Sequence, residues 1–560
     1  MHGSICLTCS LPIIWCLKMK TRFVAAYAPL IALIVCASLL ADDGKNPLQI
    51  VVGEKRQGAI EINQALDFSL PATAGAFVRG VVGGPGMRLS LIDAQRNVIR
   101  CLSDGRGPTL PFMFVVGNEG PYALRLSSSH GGDYLLSVDA IIAAEDQVAP
   151  APELASPRLR KLQKTLAAGG STAAFWQELE AEGTPLVEIE GAIPPLQGDE
   201  ALVTFLFRGA ERNVRLFGAP SGDHDDLQRL GDSDVWYGSY RVPSAARIDY
   251  RLAPDVPDLP GSDWERRRAI LATAQRDPLN SAAFPADNVD IYAGSSVVEL
   301  PAAPAAPWLE RRSDAAMGTV ERHRFESEIL GNTRDIYLYR PANYDGQAEG
   351  NGLAVFFDGD VYLNEVGIDV ILDNLIAAGE IRPTAAILIS NPSPQSRSSE
   401  LPCNPKFAQF IAAEVMPWAK EQGLTADRRH TVVAGASYGG LAAAYLGLRH
   451  PELFGSVYSQ SGSFWWAPNA LNAPPSQRPA EWLTREYVTS PHHEVKYLLE
   501  AGSFEANDRI GSILTTTKHL RDVLEAKGFD VQFREFPGGH GFFYWRYNLP
   551  QGLIDLLQPE

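Results

Sequence analysis

Sulfur is scarce in this chain. Of 560 residues, six are cysteine and six are methionine. Cys6, Cys9, Cys16 and Cys36 all precede residue 41, which leaves Cys101 and Cys403 for the rest. Two such distant cysteines make no metal framework and at most one disulfide. We expect both to be unpaired, so that stability rests on packed cores. Positive charge is also short: 49 basic residues face 66 acidic ones, a net charge of −17. That balance excludes a general footprint for nucleic acid and gives average repulsion from anionic lipid. An anionic ligand would need a local cluster of arginines. No internal repeat is apparent. Hydrophobic residues at 45% and charged residues at 21% exclude wholesale disorder and collagen-like repeats. The length allows about three or four domains.

One long apolar run stands out, from Phe23 to Leu40. Lys18, Lys20 and Arg22 precede it and Ala41-Asp42-Asp43-Gly44 follows. A positive patch, an apolar stretch and a small-residue exit form a secretory signal. Residues 1–41 are therefore expected to be a signal peptide starting at Met19, and the protein to be periplasmic or secreted, with no stable membrane insertion after cleavage. A retained anchor is the alternative, because a run of about 18 residues is borderline for a span. Val35 is a poor residue before a lipidated cysteine, which argues against Cys36 as a lipid site. Cys6-Leu-Thr-Cys9 falls in the discarded stretch and carries no redox or zinc role. Three basic residues and no acids lie in 1–41, so cleavage takes the charge from −17 to −20.

Three folded regions are expected after the leader. Residues 45–145 hold short apolar segments (58–70, 76–82, 88–92, 122–126 and 133–138) separated by glycine, proline and aspartate. Such spacing predicts an accessory β-sandwich, jelly-roll-like. Residues 146–160 form a linker. Residues 161–300 begin with helices near 159–168 and 172–182, then return to strands, which predicts a second sandwich. Its Asp234-Val-Trp236-Tyr237 segment serves either core packing or a binding edge. Pro301–Trp308 opens a proline-rich linker, 301–312. From 313 to 560 strands alternate with helices, which predicts a mostly parallel sheet covered on both faces. Eight strands in about 250 residues suit an α/β-hydrolase catalytic domain.

Within that domain Thr431–Ala434 is a buried type of strand. Gly435-Ala436-Ser437-Tyr438-Gly439 follows it and a helix comes next. This is G-x-S-x-G in strand–turn–helix context, where a nucleophilic serine must sit on a sharp turn with small neighbours. Ser437 is the expected nucleophile. His540, flanked by glycines after the last strand, is the expected base. His430, His450, His492, His493 and His519 are expected to be structural, and His130 to lie in a loop. The acid should follow strand Val495–Glu500: Glu505 first, Asp508 second, or a Ser–His dyad without a strong acid. The expected oxyanion donors are the N–H of Tyr438 and that of Gly359 or Asp360, after strand Leu353–Phe357.

Several stretches together resemble the enterochelin (ferric enterobactin) esterases of the Fes type. They are Phe175-Trp176 through Pro185 to Glu188, Asp234-Val-Trp236-Tyr237 to Tyr240, Arg397-Ser-Ser-Glu400-Leu-Pro-Cys403-Asn404, Ser459-Gln-Ser-Gly-Ser463-Phe-Trp465-Trp466, and Gly539-His540 to Trp545-Arg546. The resemblance runs from about Phe175 to Arg546. It does not include 45–145, and Gly541 stands where family members often carry an acidic residue. The resemblance implies hydrolysis of the trilactone of a catecholate siderophore, ferric or metal-free. Iron would then be part of the substrate, with no protein cofactor and no protein-bound metal. A ferric catecholate is polyanionic and aromatic. Arg397, Arg546, Trp465, Trp466 and Trp545 are expected to bind it, from loops near the site mouth. Two other readings stay open: an esterase for other phenolic or acyl esters, such as feruloyl or acetyl esters, and a non-catalytic binding protein on a hydrolase scaffold. The oligomeric state is not legible.

Overall fold

The structure, a computed structural model, describes residues 47–118, 120–147, 153–221, 224–469, 479–506 and 512–559. The expected leader and Asp508 lie outside the described residues. The chain divides into two compact units, with the division after residue 152.

The first unit is a sandwich of a five-stranded and a four-stranded sheet. Phe68, Leu89, Leu124 and Leu126 from one sheet and Val78, Phe112 and Leu136 from the other share one buried cluster. Alternation drives this: Ala123–Ser128 buries every second residue. The segment expected as one strand over 58–70 is two strands, Lys55–Ile60 and Ala65–Ser69, in different sheets. A turn at Asn63, with φ of 64°, separates them. Strands Val98–Ser103 and Thr109–Val115 were not expected. Both are edge strands, and the first is exposed along most of its length, so it carries no apolar alternation.

The second unit opens with helices Pro157–Ala167 and Ala173–Glu182. Ser156 caps the first by accepting from the Leu159 N–H, and Pro157 occupies its first position. Leu159, Leu162, Phe175, Trp176 and Leu179 pack on Leu206 and Val235 of a four-stranded sheet. A second four-stranded sheet closes the sandwich over Phe205, Leu216, Trp236 and Tyr250. Trp236 is core: it is buried and its Nε1 donates to the Ala210 carbonyl at 2.9 Å.

An eight-stranded sheet follows. Its strands are β1 (Thr319–Ser327), β2 (Asn332–Arg340), β3 (Gly352–Phe357), β4 (Thr384–Ile389), β5 (Thr431–Ala436), β6 (Ser456–Gln460), β7 (Lys496–Gly502) and β8 (Asp530–Phe536). The order is β1-β2-β4-β3-β5-β6-β7-β8, and only β2 runs against the rest. The fold is an α/β hydrolase. Strands β3, β4 and β5 are buried at every position, because both faces are covered. Val355 and Phe357 belong to one buried cluster with Leu441, Tyr445 and Leu520, while Ala354 and Phe356 belong to another with Ile371, Leu549 and Leu553.

The helical stretch from Pro405 to Glu421 is interrupted. Pro405–Phe410 and Met416–Glu421 flank a widened turn at Ile411–Val415. Pro417 lies just beyond that turn and lacks the N–H that would bond back into it. A helix not expected at all, Phe542–Leu557, ends the chain and buries ten residues, with Pro550 in its interior.

Candidate active site

The site forms where β5 ends. Ser437 has φ 58° and ψ −118°, a conformation that non-glycine residues adopt only where the surroundings impose it. Gly435 makes the turn possible: a Cβ there would lie 2.6 Å from the Gly439 backbone. The helix Tyr438–Arg449 starts immediately after, so the serine lies at a helix N-terminus.

His540 Nε2 lies 3.0 Å from Ser437 Oγ, and His540 Nδ1 lies 2.6 Å from Glu505 Oε1. With Nδ1–H donating to the carboxylate, Nε2 is free to accept from the serine hydroxyl. Glu505 is buried on the short turn Ser503–Glu505 after β7. Its other oxygen accepts from the Gly502 N–H and from the Ser461 hydroxyl at 2.7 Å. The Ser461 hydroxyl in turn accepts from Trp545 Nε1 at 2.9 Å. The Trp545 ring meets the His540 ring edge to face at 4.9 Å. Ser463 Oγ lies 3.3 Å from Ser437 Oγ on the other side.

A second carboxylate shapes the loop after β3. Asp358 is buried in a left-handed conformation, φ 57° and ψ 42°. It accepts from Arg397 Nε at 2.6 Å, Arg397 Nη2 at 2.8 Å and Asn391 Nδ2 at 2.6 Å. Gly359 follows and presses on β4, where a Cβ would meet the Leu388 carbonyl carbon at 2.4 Å. The N–H groups of Gly359 and Tyr438 each open a helical turn and have no acceptor within it.

The structure places the other expected site residues as follows. The Asp360 N–H donates to Ser390 Oγ at 3.1 Å, which leaves Gly359 as the second oxyanion candidate. Arg397 lies on the helix Pro394–Glu400, with Nε and Nη2 of its guanidinium bonded to Asp358. Trp545 is buried in the last helix, behind His540. Arg546 stacks over Phe284 and Tyr547 from the same helix. Trp466 packs edge to face on Trp482. Trp465 is half-buried and lies 6.2 Å from the Tyr438 ring, beside the nucleophile. Asp358, Asn391, Ser461 and Ser463 were missed. All four stand just beyond strand ends, where α/β sheets place their sites, and that position was the available signal.

The second sandwich braces the histidine loop. The Arg247 N–H donates to the Pro537 carbonyl at 3.3 Å, and the Asp249 N–H donates to the Tyr544 hydroxyl at 2.9 Å. Ala219 and Phe284 share a cluster with Phe543 and Tyr544. Beneath the site, Glu500 is fully buried and accepts from the Tyr458 hydroxyl. Burial pushes its carboxyl up to about 7, with the Tyr458 and Gln460 hydrogen bonds and Arg534 opposing the shift.

Among the described residues no cluster of three or more histidine, cysteine, aspartate or glutamate side chains could hold a metal ion. Cys101 and Cys403 are both free. No helix among the described residues is long and apolar enough to cross a membrane.

The enterochelin esterase N-terminal family model matches residues 202–309, and an esterase family model matches 327–556. An iron(III) enterobactin esterase of Escherichia coli O6:H1 (strain CFT073) is 31% identical over 342 residues, 60% of this chain and 82% of that one. An iron(III) salmochelin esterase of the same strain is 31% identical over 423 residues, 71% of this chain and 97% of that one. The chain belongs to the enterobactin esterase family. Among solved structures, the enterobactin esterase FES from Shigella flexneri, crystallised in the presence of enterobactin, matches with a TM-score of 0.53 at 29% identity. That match covers 67% of this chain and 95% of FES. The enterochelin esterase N-terminal match falls in the second sandwich and the esterase match in the eight-stranded domain.

Proposed function

We propose that this protein is a serine esterase that opens the trilactone of a catecholate siderophore. The observation that carries the reading is the hydrogen-bonded line Ser437–His540–Glu505 in a chain of this family. The names of its relatives, esterases for iron(III) enterobactin and salmochelin, support the substrate class.

In the acylation step His540 Nε2 takes the Ser437 hydroxyl proton as Oγ attacks the ester carbonyl carbon. The carbonyl oxygen becomes an oxyanion held by the N–H groups of Tyr438 and Gly359. Collapse breaks the ester C–O bond, and the leaving serine hydroxyl receives its proton from His540. Water then attacks the acyl-enzyme, with His540 again as base, and releases the carboxylic acid and free Ser437. Glu505 keeps the imidazole in the required tautomer and stabilises its cation. These steps need no cofactor, and any iron enters with the substrate. The leader 1–41 supports action in the periplasm or outside the cell.

The test is hydrolysis of enterobactin followed by chromatography, with wild type and Ser437→Ala. The expected result is trilactone opening by wild type and none by the variant. Wild-type inertness toward enterobactin, alongside cleavage of a nitrophenyl ester, would move the assignment to other phenolic or acyl esters.

A further inference from the structure

The strand Arg247–Pro254 of the second sandwich alternates. Ile248, Tyr250 and Leu252 enter the sandwich core, so Arg247, Asp249 and Arg251 share the outer face. The loop that carries His540 runs along that face. The Arg247 N–H donates to the Pro537 carbonyl, and the Asp249 N–H donates to the Tyr544 hydroxyl. Gly539 abuts Ala219: a Cβ on the glycine would lie 2.9 Å from the Ala219 Cβ. Ala219 follows the strand Val214–Gly218, in which Gly218 pairs with Tyr250 and Phe217 with Arg251. Pro537 is thus level with Arg247, and Gly539 with Asp249. One step further along the same face, about 7 Å on, stand Arg251 and Phe217, level with His540. Burial raises the Asp249 carboxyl, while the Tyr544 hydroxyl and, from further off, His540 oppose the rise.

Two helices cover the ends of this face. The helix Phe542–Leu557 lies at the Arg247 end, where the Arg247 guanidinium stacks on Tyr547 at 3.8 Å. The helix Asp263–Thr273 covers the other end, where Ala269 and Ile270 share a cluster with Ala253. Arg251 stands between them, half-buried. Its guanidinium stacks on Phe217 at 5.0 Å, and that of Arg267, from the helix Asp263–Thr273, stacks on the same ring at 5.2 Å. Arg267 is exposed, and its Nη1 lies 3.0 Å from His224 Nε2. Among the described residues neither guanidinium has a carboxylate within ion-pair distance, and Arg251 Nε is buried without an acceptor. Burial pushes the Arg251 guanidinium down, Asp249 opposes this from a distance, and Arg267 adds to it. Two like charges held on one ring without a counter-charge repel each other, and a bound anion would remove that cost. An aromatic anion suits the pair twice over, through its charge and by stacking on the guanidinium planes.

We propose that Arg251 and Arg267, held side by side on Phe217, form a subsite on the second sandwich for a negatively charged catecholate arm of the substrate. The inference rests on the proposed siderophore esterase reading. While one ester lies at Ser437, a neighbouring arm reaches past His540 to the arginine pair. An iron-bound arm has lost its phenolic protons and supplies the charge that the pair lacks. A metal-free arm keeps its protons and offers only its ring.

The test titrates ferric and metal-free enterobactin into the Ser437→Ala protein, read by tryptophan fluorescence, with Arg251→Gln, Arg251→Lys or Arg267→Gln added. Arg267 is exposed, so its replacement empties no core. Each glutamine should raise Kd for the ferric complex about tenfold, roughly the weight of one charge-assisted hydrogen bond, and flatten its salt dependence. Arg251→Lys should restore most of the salt dependence. Kd for the metal-free form should change by less than about threefold. An unchanged Kd for the ferric complex in both glutamine variants, beside trilactone opening by wild type, would overturn the subsite alone. So would an equal loss on the two forms with a lower urea midpoint, which would mean that the arginines serve the sandwich. Wild-type cleavage of nitrophenyl butyrate with no opening of either trilactone would instead defeat the siderophore reading, and the subsite with it.

Discussion

Replacing Arg397 separates two roles for one residue. As a substrate-binding arginine it would act on KM. In the structure its fork grips Asp358, the residue whose left-handed backbone aims the Gly359 N–H. Arg397→Ala removes bonds of 2.6 and 2.8 Å and leaves the buried carboxylate with Asn391 alone. Removing one partner of a buried pair costs about 3–5 kcal/mol. The Arg397 side chain is 29% exposed and one bond to Asp358 survives, so about 2–3 kcal/mol of stability should be lost. A displaced oxyanion donor lowers kcat by about 10²–10³. The expected outcome with nitrophenyl butyrate is therefore a kcat lower by about 100-fold or more, with KM within about threefold. Arg397→Lys restores the charge but not the two-pronged geometry, so it should recover stability more fully than kcat. Urea unfolding and steady-state kinetics read the two effects separately. An unchanged kcat with KM raised for enterobactin only would refute the reasoning and return Arg397 to substrate binding.

Other predictions follow from the same geometry. Glu505→Gln should lower kcat on nitrophenyl butyrate by about 10²–10⁴, as loss of the acid does in serine triads; a change under threefold would make Glu505 structural only. Ser461→Ala leaves Trp545 Nε1 buried without its acceptor and should cost about 1–3 kcal/mol in urea unfolding, with a several-fold fall in kcat. Glu500 has its carboxyl raised from 4.5 to about 7. The folded state therefore holds a proton that the unfolded state has lost between those values, and stability falls as pH rises from about 4.5 to 7. Glu500→Gln should remove that slope and be more stable than wild type at pH 8 by roughly 3 kcal/mol, with little difference at pH 4.5. Equal pH slopes in the two proteins would contradict the burial argument.

The inner strands of the eight-stranded sheet were legible because β3, β4 and β5 are nearly continuous apolar runs, buried at every position. The expected strands Leu353–Phe357 and Thr431–Ala434 lie inside β3 and β5, and Val495–Glu500 differs from β7 by one or two residues at each end. The last helix was not legible, because Pro550 and four successive aromatics, Phe542 to Trp545, obscure its period. Ser437 and His540 could be picked out from their motif and strand context. The roles of Arg397, Trp545 and Arg546 could not. Sequence can place an arginine near a site mouth, but its fork was taken by a carboxylate 39 residues away. Trp545 likewise looked like a binding face, while its indole N–H belongs to Ser461, 84 residues earlier. Pairings over such distances are decided by the packing of separate elements and leave no local pattern.

The central claim is that Ser437 carries the acyl group of a catecholate trilactone. The direct measurement is rapid-quench mass spectrometry of the protein mixed with enterobactin, followed by peptide mapping. The account predicts a transient adduct with the mass of the ring-opened trilactone on the peptide containing Ser437, absent from Ser437→Ala. Trilactone opening without any adduct, or an adduct on another residue, would contradict it.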